Sequence, residues 1–297
     1  MSGKETGDLF RFASLLWSVP VSRGYGRRLR FLVRDQANNK LIGLIGLCDP
    51  VFNLRARDSR IGWDVRAREK RLCNLLDAFV LGAVPPYSTL LAGKLVAALV
   101  ASREVNERFA EKYAGRVGII SQKRRVARLV MVTTTSALGR SSVYNRLKIN
   151  GSLLFHPIGF TQGFGHFHIP ENIFDLMVKV LKKAKHPYAD PKKKGYRFGG
   201  GPNWRFRVIR ATVGRLGLSH LMLQHGIGRE VYGIPLAENW REFLMGSEKQ
   251  AKLNLFTVNE ISDFCLSRWI IPRVHRNGLN THFKREHILG LLESHNL

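Results

Sequence analysis

The sequence predicts an α/β (α+β) protein, with a mixed central sheet flanked by helices. Three patterns carry this expectation. Residues 28–33 (RLRFLV) and 41–47 (LIGLIGL) are apolar runs separated by the turn-forming stretch 35–40 (DQANNK), which reads as an antiparallel hairpin. Residues 76–84 (LDAFVLGAV) and 129–134 (LVMVTT) are short, nearly continuous apolar runs of the kind found in buried strands. Residues 171–185, and the stretch carrying Leu91, Leu95, Ala98 and Leu99, repeat apolar side chains at helical spacing. A hydrophobic content of 44% over 297 residues is enough for a sizeable core.

Each element follows in order. A short helical lead-in precedes the hairpin. Residues 52–64 read as a charged loop ending in an aromatic, and 66–72 as helical. After the buried strand at 76–84, Ser88 and Thr89 can cap a helix running towards Lys112, because their hydroxyls accept from free amides of a first turn. The basic run 123–128 leads into the strand at 129–134. Ser141 and Ser142 can cap a short helix containing Tyr144, and residues 153–169 give two short strands split by glycines. The helix expected at 171–185 ends in basic residues. Between 182 and 215 stand eleven Lys or Arg and one acid, Asp190, which reads as a basic, partly flexible arm. The last fifty residues read as a small helical appendage. The expected organisation is a core over 8–186, a basic nucleic-acid-binding arm over 187–245 and a C-terminal appendage over 246–297.

Charge is the unusual quantity. Lys plus Arg number 48 against 22 Asp plus Glu, a formal net charge of +26. Such an excess attracts polyanions, and each phosphate it neutralises releases counterions, so binding is salt-dependent. Cys48, Cys73 and Cys265 are far apart with no C-x-x-C, which argues against a disulfide framework or a zinc cluster and favours a reducing, cytoplasmic setting. The apolar stretch 75–102 contains Asp77 and Lys94 and is broken by Pro85-Pro86, so no membrane segment is expected.

Several residue groups suggest chemistry. The best nucleic-acid signature is Lys192, Lys193 and Lys194 followed by Tyr196, Arg197, Phe198, Trp204, Arg205, Phe206, Arg207 and Arg210. Basic groups would hold phosphates while aromatics stack on bases, a mode largely tolerant of sequence. Arg55 and Arg57 lie near Trp63 and offer a second combination of guanidinium and stacking ring. Asp58 beside them either orients an arginine or carries out proton chemistry. His166 and His168 flank Phe167; in a strand, alternation would put both imidazoles on one face, where a divalent metal could sit. No phosphate loop of the G-x-x-x-x-G-K-[ST] type and no G-x-S-x-G elbow occurs.

The order hairpin, strand, helix, strand, short helix, strands resembles the GNAT acyltransferase fold. That resemblance implies a central strand that splays from its neighbour after a Val-x-Pro-like step, here Ala83-Val84-Pro85-Pro86-Tyr87-Ser88-Thr89. It implies acyl-CoA binding around Val84, Tyr87, Ser88 and Thr89, with Tyr144 placed to protonate a leaving thiolate. The closely spaced glycines with which the family wraps pyrophosphate are missing from residues 87–94 (YSTLLAGK). A core role for Tyr144 is the other reading.

Longer matches are more specific. VFNLRARD at 51–58, IGWD at 61–64, TTTSALGRSSVY at 133–144, GHFHIP at 165–170, GPNWR at 201–205 and QHGIGREVY at 224–232 are similar to the DruA family of bacterial anti-phage (Druantia) defence proteins. The resemblance implies a component of a multi-gene defence cluster, with partner proteins that include a helicase. The leading expectation is a defence component that binds DNA or RNA through a basic surface and requires no cofactor. The alternatives are an acyl-CoA-dependent N-acyltransferase, and a metal-dependent enzyme that nicks single strands through His166 and His168.

Overall fold

The computed structural model describes residues 3–17, 26–117, 126–166, 168–189 and 204–276, together with Glu286 and Gly290. The chain divides into two units, Met1–Gly159 with Glu230–Leu297, and Phe160–Arg229. The division therefore falls at 159/160 and 229/230, and not at 186/187 and 245/246. Part of the segment expected as an arm forms a sheet strand, and the expected helix at 171–185 belongs to the smaller unit.

In the larger unit, α1 (Gly3–Ser14) precedes the hairpin β1 (Arg28–Arg34) and β2 (Leu41–Cys48). Then come α2 (Arg55–Ile61), α3 (Val65–Arg71), β3 (Leu75–Ala83), α4 (Ala92–Leu99), α5 (Arg103–Tyr113) and β4 (Met131–Thr135). A small hairpin of β5 (Lys148–Ile149) and β6 (Ser152–Leu153) leads to β7 (His156–Phe160). The smaller unit holds α6 (Glu171–Lys183) and α7 (Trp204–Arg215). The chain returns to the larger unit as β8 (Glu230–Pro235), α8 (Trp240–Met245), α9 (Val258–Cys265) and α10 (Ile271–Val274).

The six-stranded sheet has the order β1-β2-β3-β4-β8-β7. β1 with β2, β2 with β3, and β4 with β8 are antiparallel, while β3 and β4 are parallel. A parallel pair needs a crossover, which α4 and α5 supply. Side-chain alternation then sorts the core into two faces. Ile45, Leu47, Leu76, Ala78 and Val132 pack with the apolar faces of α4, α5 and α9. On the opposite face Leu44 and Val80 meet α1, while Leu75 and Met131 meet Ile61, Trp63, Phe243 and Leu244.

Local chemistry explains where the structure departs from expectation. The stretch 52–64 is not a loop: α2 forms within it and stops at Gly62, whose φ of 94° a side chain would disfavour. Asp64 then starts α3 by accepting from the Ala67 amide at 2.6 Å. The single helix expected from Ser88 to Lys112 is two, because Ser102 adopts extended backbone and caps α5. The C-terminal helices are no appendage: Ile261 and Cys265 of α9 are fully buried in the main core. Among the described residues, no helix is long and apolar enough to cross a membrane.

Candidate functional site

The parallel pairing of β3 with β4 lasts for three residue pairs, Leu75–Asp77 against Met131–Thr133, and then the strands part. A bulge contributes to the divergence. Gly46 faces Val80 and Leu47 faces Ala78, which leaves Phe79 as an extra residue in β3. The Phe79 ring lies against Gly46, 2.8 Å from where a Cβ would stand. At the start of the splay the Thr133 hydroxyl donates to Asp77 Oδ1 at 2.7 Å, and Thr134 donates to the Ala78 carbonyl at 3.0 Å. A carbonyl that the ladder leaves free is thus satisfied by a side chain.

Tyr144 reaches this point. It stacks on Phe155 with ring centroids 4.6 Å apart and meets Tyr232 edge-on at 5.3 Å. Burial pushes its phenol up to about 12, against the opposing effect of a hydrogen bond with the Thr134 hydroxyl. A phenol in this condition is protonated at neutral pH. It can donate a proton but not accept one.

Beside it lies a buried network that the sequence reading did not single out. The Tyr232 hydroxyl, on β8, is hydrogen-bonded to the buried Glu230 carboxylate and lies 2.8 Å from Asn145 Oδ1, and it accepts from the Ser141 amide at 3.0 Å. The Glu230 amide meets the Gly139 carbonyl at 2.8 Å and Ser136 Oγ at 3.1 Å, and Arg140 lies 3.6 Å from its carboxylate. Burial, and then the bond to Glu230, hold the Tyr232 phenol at about 12. The runs at 133–144 and 224–232 thus converge here. An acid, Glu230, at the edge of an apolar run was the available signal.

The residues proposed for acyl-CoA are occupied within the fold. Val84 is buried, and its amide donates to the Ile42 carbonyl at 2.9 Å. The Tyr87 hydroxyl donates to Asp35 Oδ2 at 2.7 Å, closing the turn between β1 and β2 and holding the Asp35 carboxyl below its usual range. Ser88 and Thr89 do not cap α4. Residues Tyr87–Leu90 form a 3-10 turn in which the Ser88 amide donates to Val84 and the Thr89 hydroxyl to Pro86. Leu91, at φ 63°, precedes α4 with no side-chain cap.

Arg57 and Asp58 form the centre of a buried ion cluster. Arg57 is 0% exposed; its guanidinium donates to Asp58 and to the Val51 and Phe52 carbonyls at 2.7 and 3.0 Å. Asp58 also accepts from Arg68 Nη1 at 2.8 Å and from the Leu54 amide at 3.3 Å. Burial lowers the Arg57 guanidinium, and Asp58 opposes that shift most strongly. Arg57 has no surface to offer a phosphate, so its expected binding role gives way to a structural one. Asp58 orients arginines. Trp63 is buried too, under Arg57, donating to the Leu244 carbonyl at 2.7 Å, and Arg55 alone of the group is exposed.

In the smaller unit, α6 and α7 pack through Phe174, Leu181, Val208, Ile209 and Val213. Trp204 belongs to that contact: it meets Phe174 edge-on at 5.4 Å and donates to the Tyr188 carbonyl at 3.0 Å. Its expected stacking on a base is replaced by core packing. Arg205 lies over the Phe174 ring and is engaged by Glu171 at 2.6 Å and the Ile169 carbonyl at 2.7 Å. Arg207, Arg210 and Arg215 are exposed along α7, and Lys179, Lys182 and Lys183 along α6. Lys192, Lys193, Lys194 and Arg197 lie outside the described residues.

His166 and His168 are in a bend and a turn, closed by the Ile169 amide donating to the His166 carbonyl at 3.1 Å, so strand alternation does not apply to them. His166 is half-buried beside Phe206 and its imidazole is lowered chiefly by burial. His168 is exposed, with Nε2 3.0 Å from the Met222 carbonyl. Among the described residues, no group of three or more His, Cys, Asp or Glu is arranged to hold a metal ion.

Sheet order, buried polar network and cationic surface define a strongly basic mixed α/β protein. The chain belongs to the DruA family: the family described as Druantia protein DruA matches residues 1–246. A curated relative, Druantia protein DruA of Escherichia coli (strain UMEA 4076-1), is 52% identical over 277 residues, covering 93% of this chain and 68% of the relative. No solved structure matches the chain.

Proposed function

We propose that this protein is an anti-phage defence component that binds nucleic acid through its cationic surface and acts beside partner defence proteins. The carrying observation is the charge of the unit Phe160–Arg229, where thirteen residues are Lys or Arg and three are Asp or Glu. Its helices pack against each other through Phe174, Leu181, Val208, Ile209 and Val213 and turn Lys179, Lys182, Lys183, Arg207, Arg210 and Arg215 to solvent. With Trp204 packed against Phe174, phosphate contact by the exposed cations is the expected mode, which predicts binding that tolerates sequence and falls steeply with salt.

Crowding of cations in the larger unit supports the reading. The Lys112 amine is lowered by burial and then by Arg108, Arg116 and Arg30, and Arg30 by burial and then by Arg28 and Arg11. A polyanion relieves such repulsion. The test is fluorescence anisotropy of labelled single-stranded DNA, duplex DNA and RNA, titrated with nucleic-acid-free protein at rising salt. Saturable binding whose logarithm falls linearly with that of salt is expected. No binding at low salt to any of the three would end the proposal.

The splay between β3 and β4, with Tyr144 at its mouth, favours a second reading as an acyl-CoA-dependent N-acyltransferase on a GNAT-like core. Two features weigh against it: the Thr134 hydroxyl satisfies the Ala78 carbonyl, and the Ser88 and Thr89 amides are engaged in their own turn. Calorimetric titration with acetyl-CoA and a longer acyl-CoA decides between the readings, and no heat of binding is expected.

A further inference from the structure

A second cationic feature lies in the larger unit and is built from other residues than those considered so far. A cavity of about 440 Å³ is lined by Lys70, Arg71, Arg128 and Lys249, with Asn74 and Phe243 contributing to its walls. Among the described residues, none of the side chains lining it is acidic. These cations come from three separate parts of the chain, the end of α3, the approach to β4 and the segment after α8, so sequence proximity does not explain their meeting.

The walls are fixed by buried groups. Asn74 is 4% exposed; its amide Nδ2 donates to the Arg71 carbonyl at 3.1 Å, and its Oδ1 accepts from the Arg128 amide at 2.9 Å. One side chain thus ties together the backbones of two of the arginines. The Val130 amide donates to the Asn74 carbonyl at 3.0 Å and continues the tie into β4. The Arg71 guanidinium lies 5.7 Å from the buried Phe243 ring. It also passes Gly246, where a Cβ would come within 2.7 Å of Nη2, so glycine there leaves it room. Positions held before a ligand arrives reduce the ordering cost of binding.

We propose that this cavity is a binding site for phosphoryl groups, one that takes multiply charged phosphates. Four cations around a concave wall suit a polyphosphate or successive phosphates of a strand end, since arginine and lysine pair with phosphate oxygens through charge-assisted bonds. The volume lies in the range of small-molecule sites. The inference concerns a different surface from the α6–α7 unit and does not depend on nucleic-acid binding there.

The test uses the full chain and inorganic tripolyphosphate as the probe, by isothermal titration calorimetry. Wild type is expected to bind one equivalent, and K70A/R128A to bind at least tenfold more weakly with an unchanged thermal unfolding midpoint, because both side chains are exposed. R207A/R210A on α7 should leave this binding unaltered. A single-stranded oligonucleotide with a 5′-phosphate, compared with its 5′-hydroxyl twin and with ATP, distinguishes a strand end from a free nucleotide as the source of the phosphates. No binding of tripolyphosphate to wild type, or equal binding to K70A/R128A, overturns the inference. Neither result touches the proposal for the smaller unit, which is read from oligonucleotide binding by R207A/R210A.

Discussion

Replacing Asp58 by Asn separates a structural role from a chemical one. The change preserves shape but removes the carboxylate that is hydrogen-bonded to Arg57, which is 0% exposed, leaving Asp77 as a weaker compensating charge, and it weakens the link to Arg68 at 2.8 Å. The Val51 and Phe52 carbonyls remain hydrogen-bonded to Arg57 but do not neutralise it. Leaving one partner of a buried ion pair uncompensated costs about 3–5 kcal/mol. At about 2–4 °C per kcal/mol for a domain of this size, the unfolding midpoint should fall by roughly 6–20 °C. Differential scanning calorimetry measures that fall, and oligonucleotide affinity per folded molecule, measured well below the midpoint, should not change. A midpoint within 2 °C of wild type, or full stability with lost function, would show that the cluster is not a structural support and would return Asp58 to the list of reacting groups.

Three further outcomes follow from the same structure. Tyr144 and Tyr232 are raised from 10.0 to about 12, and the buried Cys265 thiol from 9.0 to about 12. Because folding raises these values, their contribution is whole at neutral pH and is lost as pH climbs from about 9 to 12; urea midpoints should drop over that window, and drop less in Y144F/Y232F. Trp204→Ala removes a packed ring and its bond to Tyr188, and should destabilise the α6–α7 contact by about 3 kcal/mol; hydrogen exchange should accelerate in α6 and α7 while β3 keeps its protection. Gly46→Val should be poorly tolerated, since even a Cβ there would meet the Phe79 ring; soluble yield and midpoint should both fall, and an unaltered midpoint would show that the ring moves aside freely.

The sequence made the larger sheet partly legible. The β1–β2 hairpin, β3, β4 and α6 follow directly from alternation, turn residues and helical spacing, because in those segments local preference and tertiary environment agree. Other elements were hidden, α7 and β8 among them. In α7, Trp204, Phe206 and Val208 recur at every second residue and imitate a strand, while the buried set Val208, Ile209, Thr212 and Val213 has helical spacing. β8 contains Gly233 and Pro235 and pairs with a partner nearly a hundred residues earlier, so nothing local marks it as a central strand.

The candidate sites were legible as motifs and not as arrangements. Arg57 and Trp63 read as a surface pair because charge is seldom buried, yet the Asp58 carboxylate offsets that charge and two carbonyls satisfy the other guanidinium donors, so that Arg57 can be buried. His166 and His168 depended on strand geometry, which the bend at 166 removes. The cationic cavity joins Lys70, Arg71, Arg128 and Lys249 across about 180 residues of sequence, a convergence that only the fold supplies.

The most direct test of nucleic-acid binding by the smaller unit is the salt dependence of single-stranded DNA affinity in wild type and in R207A/R210A/R215A. Each lost phosphate contact should flatten the slope of log K against log salt by about 0.7. The account predicts weaker binding to every sequence and a slope shallower by roughly 2. An identical slope and affinity in the variant would contradict it, because the exposed face of α7 would then take no part in holding the strand.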